Sequence, residues 1–373
     1  MKIKQCRICR SSSLKSLLNL GDQHFTGIFP KHESEQVPIG TLELVKCDKC
    51  DLVQLADSFD LNQLYGLNYG YRSGLNGSMV RHLNAKVQKI IQAVTLEEGD
   101  LVLDIGSNDG TTLKAYPNRN LTFVGIDPTA IKFRAHYPSD VQVIPDFFSA
   151  KLFKANFKSK KAKIVTSIAM FYDLEDPLAF MADVEDILDD KGMWVFEQSY
   201  LKSMLETNSY DTVCHEHLEY YGLKQIEWMA NKSGLKILNV EFNDVNGGSF
   251  QVTAAKKNSP LTPNTKLIQS ILEGEEKFGL YSMATYQNFA AKVEEHRQSI
   301  RSFFTWARDE RKRVLGYGAS TKGNVLLQYC GITADDLPCI AEVNEDKFGS
   351  FTPGTMIPII DEATARRMKP DYF

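Results

Sequence analysis

The 373-residue chain has no apolar run near the roughly 20 residues that a bilayer-crossing helix needs, and its opening MKIKQCRICR lacks the apolar stretch of a signal peptide. Membrane insertion and export are not expected, and the protein reads as cytoplasmic. The chain also lacks an excess of one charge: 43 basic residues against 47 acidic ones leave a net charge of -4, which builds no field for holding a nucleic-acid backbone. A local basic site stays open. No internal repeat and no low-complexity segment stands out. What is present is globular material, 43% apolar, 10% aromatic and 24% charged, at a length that suits two or three domains.

The seven cysteines are unevenly spread: Cys6, Cys9, Cys47 and Cys50 crowd the first fifty residues, while Cys214, Cys330 and Cys339 are scattered. Two C-x-x-C pairs in a reducing compartment suit a closed tetrahedral zinc site, which leaves no coordination position for a substrate. A turn-rich metal-stapled module is expected from Met1 to about Leu64.

Met79, Leu83, Val87, Ile90 and Ile91 recur at three- to four-residue spacing and predict an amphipathic helix over 73–94. From Asp100 onward the strand-length runs LVLDIG, LTFVGID, VQVI, KIVTSIAM and MWVFEQ alternate with helical stretches, the pattern of a parallel sheet with crossover helices. A helix over 224–233 and the strands KILNVEF and SFQVTAA follow. A linker at 257–266 and a long helical region over 267–313 lead to a second strand, glycine turn and helix in RVLGYGASTKGNVLLQY.

The first glycine turn, LVLDIGSNDGTTL, sets Asp104 at a strand end and Gly106, Ser107, Asn108, Asp109 and Gly110 before a helix. A phosphate site wants bare glycines and no negative charge, so these acids favour a cationic or polar ligand. Asp127, at the end of the next strand, is placed to accept ribose hydroxyls. The turn is similar to the S-adenosylmethionine site of class I methyltransferases, with a dinucleotide fold as the alternative. Asp146 reads either as an adenine contact or as a solvated loop residue. Tyr69, Tyr71, Arg72, Ser73 and Asn76 form a second candidate lining or a turn packed on the first helix.

The densest group of proton-transfer residues is the segment from Tyr210 to Tyr221, with His215, Glu216, His217 and Glu219. If extended, it would point His215 and His217 to one side with Glu219, and Glu216 to the other. It reads as a second metal site, as packed structural histidines, or as a catalytic cluster in which a carboxylate orients an imidazole base. In the second glycine turn, Gly316, Gly318, Ser320, Lys322 and Gly323 have no acid among them and suit a pyrophosphate, or serve as a structural turn only.

These four motifs, in this order, resemble the three-domain S-adenosylmethionine-dependent sugar C-methyltransferases. The resemblance implies an α/β fold with a small zinc module at 1–65, a class I methyltransferase Rossmann-like domain at 66–257, and a helical arm with a second Rossmann-like domain at 258–373. It implies S-adenosylmethionine and structural Zn2+ as cofactors and a nucleotide-diphosphate-linked keto-deoxysugar as substrate. In it, Glu216 and His217 match the catalytic pair, with His217 as the base, and Tyr71 matches a tyrosine ahead of the methyltransferase domain. Asp173 and Cys214 stand where family members carry histidine and tyrosine, so both are expected on the substrate side. The family continues beyond KPDYF through another strand, and a shortened end is expected. A monomer is the expected state. The alternatives are an O- or N-methyltransferase acting on a sugar or small acid, and a non-catalytic nucleotide-sugar-binding protein.

Overall fold

The computed structural model describes residues 1–60, 64–65, 71–117 and 120–373, and Tyr69 lies outside them. Fourteen strands form three sheets among the described residues. The first sheet contains β1 (Leu14–His24), β2 (Ile39–Cys47) and β3 (Val53–Leu55), and it is completed by β9 (Glu219–Tyr220), which follows the histidine cluster. The sheet of the cysteine module therefore extends beyond residues 1–65. β3 pairs antiparallel with β9, with Val53 opposite Tyr220 and Gln54 opposite Glu219.

The central sheet has the order β10-β11-β8-β7-β4-β5-β6. It comprises β4 (Leu101–Ile105), β5 (Thr122–Ile126), β6 (Val141–Ile144), β7 (Ala162–Ile168), β8 (Leu188–Ser199), β10 (Leu235–Asn243) and β11 (Ser249–Lys256). The strands from β6 to β8 run parallel, and β11 lies antiparallel between β8 and β10. β4 is buried along its whole length, which explains its unbroken apolar run. The chain leaves β4 for β5 and β6 on one side and returns to β7 and β8 on the other. That reversal opens a crevice at the carboxyl ends of β4 and β7, where open α/β sheets bind ligands.

The helix expected over 73–94 runs from Gly77 to Ala93, because Asn76 accepts the Ser78 N–H and caps it. Leu83, Val87 and Ile90 form its buried stripe, joined by Lys86, which pairs with Glu197 of β8. The long helical region is two helices, Thr265–Phe278 and Met283–Asp309, separated at Gly279, whose φ of 79° ends the first. The third sheet, β12 (Gly316–Tyr317), β13 (Ile340–Glu342) and β14 (Ile359–Asp361), is parallel, and Tyr372 lies alongside Val314 in a parallel bridge. The second Rossmann-like unit is thus small, with its glycine turn leading into the helix Thr321–Cys330.

Behind the crevice, the Phe171 ring packs on Trp194, Phe196 and Tyr221 with centroids 5.2 to 5.6 Å apart. Phe171 is fully buried, so truncating it would cost about 3–5 kcal/mol. It opens the short turn Phe171–Asp173, which carries Tyr172 and Asp173 to the site.

Candidate active site

A cavity of about 320 Å3 fills the crevice and brings together Asp104, Gly106, Ser107, Asn108, Asp127 and Asp146 with Tyr71, Ser73 and Asp173. The bend at its floor needs positive φ at Gly106 (70°), Asn108 (48°) and Gly110 (75°). Gly110 does not line the cavity: Tyr137 packs where its Cβ would stand, so this glycine serves the turn and not the ligand. Tyr137 in turn bonds Ser107 Oγ at 2.7 Å and the Asn108 carbonyl at 2.7 Å, holding the bend rigid.

Asp104 accepts Thr166 Oγ1 at 2.5 Å, and burial pushes its carboxyl up to about 7 against the opposing effect of bonds from Thr166 and Thr112. Asp127 takes the Asn108 N–H at 2.8 Å and the Thr129 N–H and hydroxyl at 2.6 Å each. Its carboxylate therefore ties β5 to the glycine turn as well as facing the cavity. Asp146 stands exposed at the rim. Asp109 faces away from the cavity: it accepts the Thr111 N–H and hydroxyl and the Gly74 N–H, and pairs with Arg72.

The segment 71–75 is strapped to the same turn, since Ser73 N–H donates to Asn108 Oδ1 at 2.9 Å and Asn108 Nδ2 donates to the Tyr71 carbonyl at 3.1 Å. Tyr71 and Ser73 line the cavity. Arg72 and Asn76 do not: the first is held by Asp109 and the second caps a helix.

The histidine cluster differs from the expected extended segment. A turn at His215 and Glu216, closed by the His217 N–H on the Cys214 carbonyl at 3.2 Å, sends the two imidazoles to different surroundings. His215 is fully buried against the rings of Phe25 and Phe59, at 4.7 and 4.9 Å, and its Nε2 meets the Gly40 carbonyl at 3.2 Å. It is a packed structural histidine and not the catalytic residue expected. Glu219 leaves the cluster for Arg7, 3.7 Å away in the first cysteine knuckle.

His217 packs against the Tyr172 ring, tilted by 59° with centroids 4.3 Å apart, and places Nδ1 2.9 Å from the Thr212 carbonyl. A carbonyl only accepts, so Nδ1 carries the proton and Nε2 keeps a lone pair. Burial, and next the charge of Lys322, push this imidazole down to about 4, so it is neutral at physiological pH. The partner that fixes its tautomer is thus a backbone carbonyl, where the sequence pointed to a carboxylate. Glu216, 7% exposed, instead accepts the thiol of Cys214, and its Oε2 is buried without a hydrogen-bond partner. Cys214, expected against the substrate, is 1% exposed and spends its thiol on Glu216. Asp173 does reach the cavity wall.

The second glycine turn converges on this cluster through Lys322 and Thr321. A Cβ on Gly27 would collide with the Glu216 carboxylate and come within 3.8 Å of Thr321 Oγ1. The Gly27 loop is pinned to the helix Thr321–Cys330 by Asn324 Nδ2 on the Thr26 carbonyl at 2.8 Å and by Gln328 on both polar groups of the His24 backbone. The turn is less open to phosphate than its sequence suggested. Glu342 of β13 accepts the Ala319 N–H, Ser320 caps the helix by accepting the Gly323 N–H, and Gly316 packs on Ile340. Gly318, with φ of 84° and open space around it, is exposed, whereas Lys322 is half-buried and donates from Nζ to the Asn246 carbonyl at 2.8 Å. Gly27, Tyr172 and Thr212 carried no motif that sequence reasoning could single out.

In the cysteine module, Cys6, Cys9, Cys47 and Cys50 place their sulfurs within 4.8 Å of one another, with pairs at 3.4 and 3.5 Å. Zn–S bonds of about 2.3 Å in a tetrahedron set sulfurs roughly 3.8 Å apart, so four thiolates with this spacing fit Zn2+. The module's β3 also carries the chain past the cluster: Leu55 N–H bonds the Leu218 carbonyl at 2.9 Å, and Leu218 N–H bonds the Tyr172 carbonyl at 2.8 Å. The metal site thereby supports the strand that follows His217.

A sheet of this order, with a glycine turn and acidic residues at its switch point, defines a class I S-adenosylmethionine-dependent methyltransferase. Residues 6–65 match the zinc binding domain family, 79–240 the methyltransferase domain family, and 244–373 the family described as the C-methyltransferase C-terminal domain. The three matches follow one another along nearly the whole chain, in the order zinc binding domain, methyltransferase domain, C-methyltransferase C-terminal domain. It is 28% identical over 374 residues to the C-methyltransferase NovU of Streptomyces niveus, covering all of this chain and 89% of that protein. Among solved structures it is similar to a methyltransferase in complex with the Haloferax volcanii Trm112 activator, at 14% identity and TM-score 0.39 over 48% of this chain and 94% of that one. It is also similar to the CcbJ methyltransferase of Streptomyces caelestis, at 11% identity and TM-score 0.37 over 47% and 89% of the two chains.

Proposed function

We propose that the enzyme methylates a carbon beside the ketone of a nucleotide-diphosphate-linked deoxysugar. The observation that carries this reading is the neutral His217, its Nδ1 proton held by Thr212 and its Nε2 left to accept a proton, next to the Lys322 ammonium. Asp104, Gly106, Ser107, Asn108, Asp127 and Asp146 would hold S-adenosylmethionine in the 320 Å3 cavity, whose buried Asp104 carboxyl suits a cationic ligand. Bound there, the cofactor supplies an electrophilic methyl group. His217 removes the carbon-bound proton, the electron pair moves toward the ketone oxygen, and the carbon becomes the nucleophile. Glu216 shapes the turn that presents His217, and Tyr71 covers the cavity rim. Lys322 and the exposed edge at Gly318 would receive the diphosphate, a role in which the charge of Lys322 outweighs the turn's own amides.

In this reading residues 1–65 are the zinc-held support, 66–257 the cofactor domain and 258–373 the nucleotide-sugar side, with β9 tying the first two together. A monomer is the proposed acting unit. A four-thiolate site suits the reducing cytoplasm. Among the described residues no helix is long and apolar enough to cross a membrane.

The test is product analysis after turnover with 13C-methyl S-adenosylmethionine and a thymidine-diphosphate-linked 4-keto-6-deoxyhexose. A methyl carbon bonded to carbon in the NMR spectrum supports the reading. A methyl on oxygen or nitrogen would replace it with a heteroatom transferase, and binding without turnover by active-concentration enzyme would favour a nucleotide-sugar-binding protein.

A further inference from the structure

The cavity wall holds one carboxyl whose chemistry the reading above leaves unused. Asp173 closes the short turn that begins with the buried Phe171, so the aromatic cluster behind it fixes its backbone. Its Oδ1 is buried without a hydrogen-bond partner, although the residue lines the cavity together with Tyr71 and the first glycine turn. The Tyr65 hydroxyl is within hydrogen-bonding reach of the carboxyl, and the Glu216 carboxyl acts on it electrostatically. No basic side chain acts on Asp173 among the described residues.

We propose that Asp173 is a catalytic residue that works as a neutral carboxylic acid, donating a hydrogen bond to the substrate's ketone oxygen as negative charge develops there. This assignment rests on the C-methylation reading. The physical ground is the balance of charge. Among the described residues no basic side chain offsets an ionised carboxylate here, and before the cofactor binds such a charge would be buried beside Glu216, which costs more than keeping the proton. Burial first, with Glu216 adding to it, raises the Asp173 carboxyl well above the usual range. The other titratable groups that sense Asp173 are Cys214, Glu219, Tyr220 and Tyr221, and all are acids, so none of them reverses this direction.

A neutral carboxyl is a strong donor to an oxyanion, and donors fixed in advance are worth most where charge appears. When His217 takes the carbon-bound proton, the electron pair shifts onto the ketone oxygen and the Asp173 proton stays on Asp173, shared with that oxygen. The proton count is unchanged at Asp173 through the reaction. Glu216 is engaged by the Cys214 thiol.

The test compares Asp173→Asn with Asp173→Ala. The amide keeps a donor and the shape but never ionises, whereas alanine removes the donor. With the thymidine-diphosphate-linked 4-keto-6-deoxyhexose, kcat should stay within about threefold of wild type for Asp173→Asn and fall about a hundredfold or more for Asp173→Ala, while calorimetry shows S-adenosylmethionine binding by both. Equal damage in the two variants, or none in Asp173→Ala, would overturn the donor role. Independently of any substrate, the infrared difference between wild type and Asp173→Asn, both loaded with S-adenosylmethionine at pH 7, should contain the stretch of a protonated carboxyl. A carboxylate signal alone would overturn the assignment even if sugar turnover is normal. Absence of sugar turnover in wild type together with the protonated band would count against the substrate reading and leave the neutral carboxyl standing.

Discussion

His215 offers a pH experiment whose size follows from its surroundings. The ring is fully buried between Phe25 and Phe59, and burial lowers it to about 4 from the ordinary 6.5. Below about pH 6.5 the unfolded chain binds a proton at this residue that the folded chain refuses. The contribution to stability is therefore complete above 6.5, is lost as pH falls from 6.5 toward 4, and is flat below 4. Linkage gives a loss of about 2 kcal/mol from this one residue between pH 7 and pH 5. Replacing it with glutamine removes the titration, while every carboxylate and the second buried histidine, His217, remain common to both proteins. Urea unfolding followed by tryptophan fluorescence at pH 7 and pH 5 should show His215→Gln losing about 2 kcal/mol less than wild type on acidification, whatever its stability at pH 7. Equal losses in the two proteins would refute the packed neutral histidine, and with it the separation of His215 from the chemistry.

Gly27→Ala should cost only about 1–2 kcal/mol, because the clash falls on the tip of the Glu216 side chain, yet it should depress turnover by shifting the turn that presents His217. In a Glu216→Ala background the same change should be nearly silent in stability, and additive effects in urea unfolding would contradict the contact. Cys9→Ser should leave the protein unable to retain one zinc per chain by elemental mass spectrometry, and should lower turnover through β3 and β9; unaltered zinc content would remove Cys9 from the ligand set. Asp104→Ala should weaken S-adenosylmethionine binding about ten- to hundredfold by calorimetry, and full affinity would argue against the first glycine turn as the cofactor site.

The central sheet was legible because its parallel strands are buried on both faces and so appear as continuous apolar runs, as in LVLDIG and MWVFEQ. The four cysteines and the first glycine turn were legible for a similar reason: close sequence spacing fixes their geometry. Long-range packing was hidden. Nothing local separates His215 from His217, and the rings that enclose the former come from Phe25 and Phe59, in the cysteine module. β9 is two residues long and pairs with a strand more than 160 positions earlier, so no periodicity announces it. The second glycine turn looked free of acid because Glu342, which takes its Ala319 amide, arrives from a later strand. Asn76 shows the opposite case, a polar residue near a site whose local duty as a helix cap is enough to explain it.

In the proposed reaction every later step follows from His217 taking a carbon-bound proton. The direct measurement is deuterium exchange from D2O into the thymidine-diphosphate-linked 4-keto-6-deoxyhexose with enzyme but no S-adenosylmethionine, read by NMR for wild type and His217→Asn. Wild type should place deuterium at a ring carbon beside the ketone, and His217→Asn should not. Exchange that persists in His217→Asn, or methyl transfer by wild type without any exchange-competent carbon, would contradict the assignment of His217 as the base.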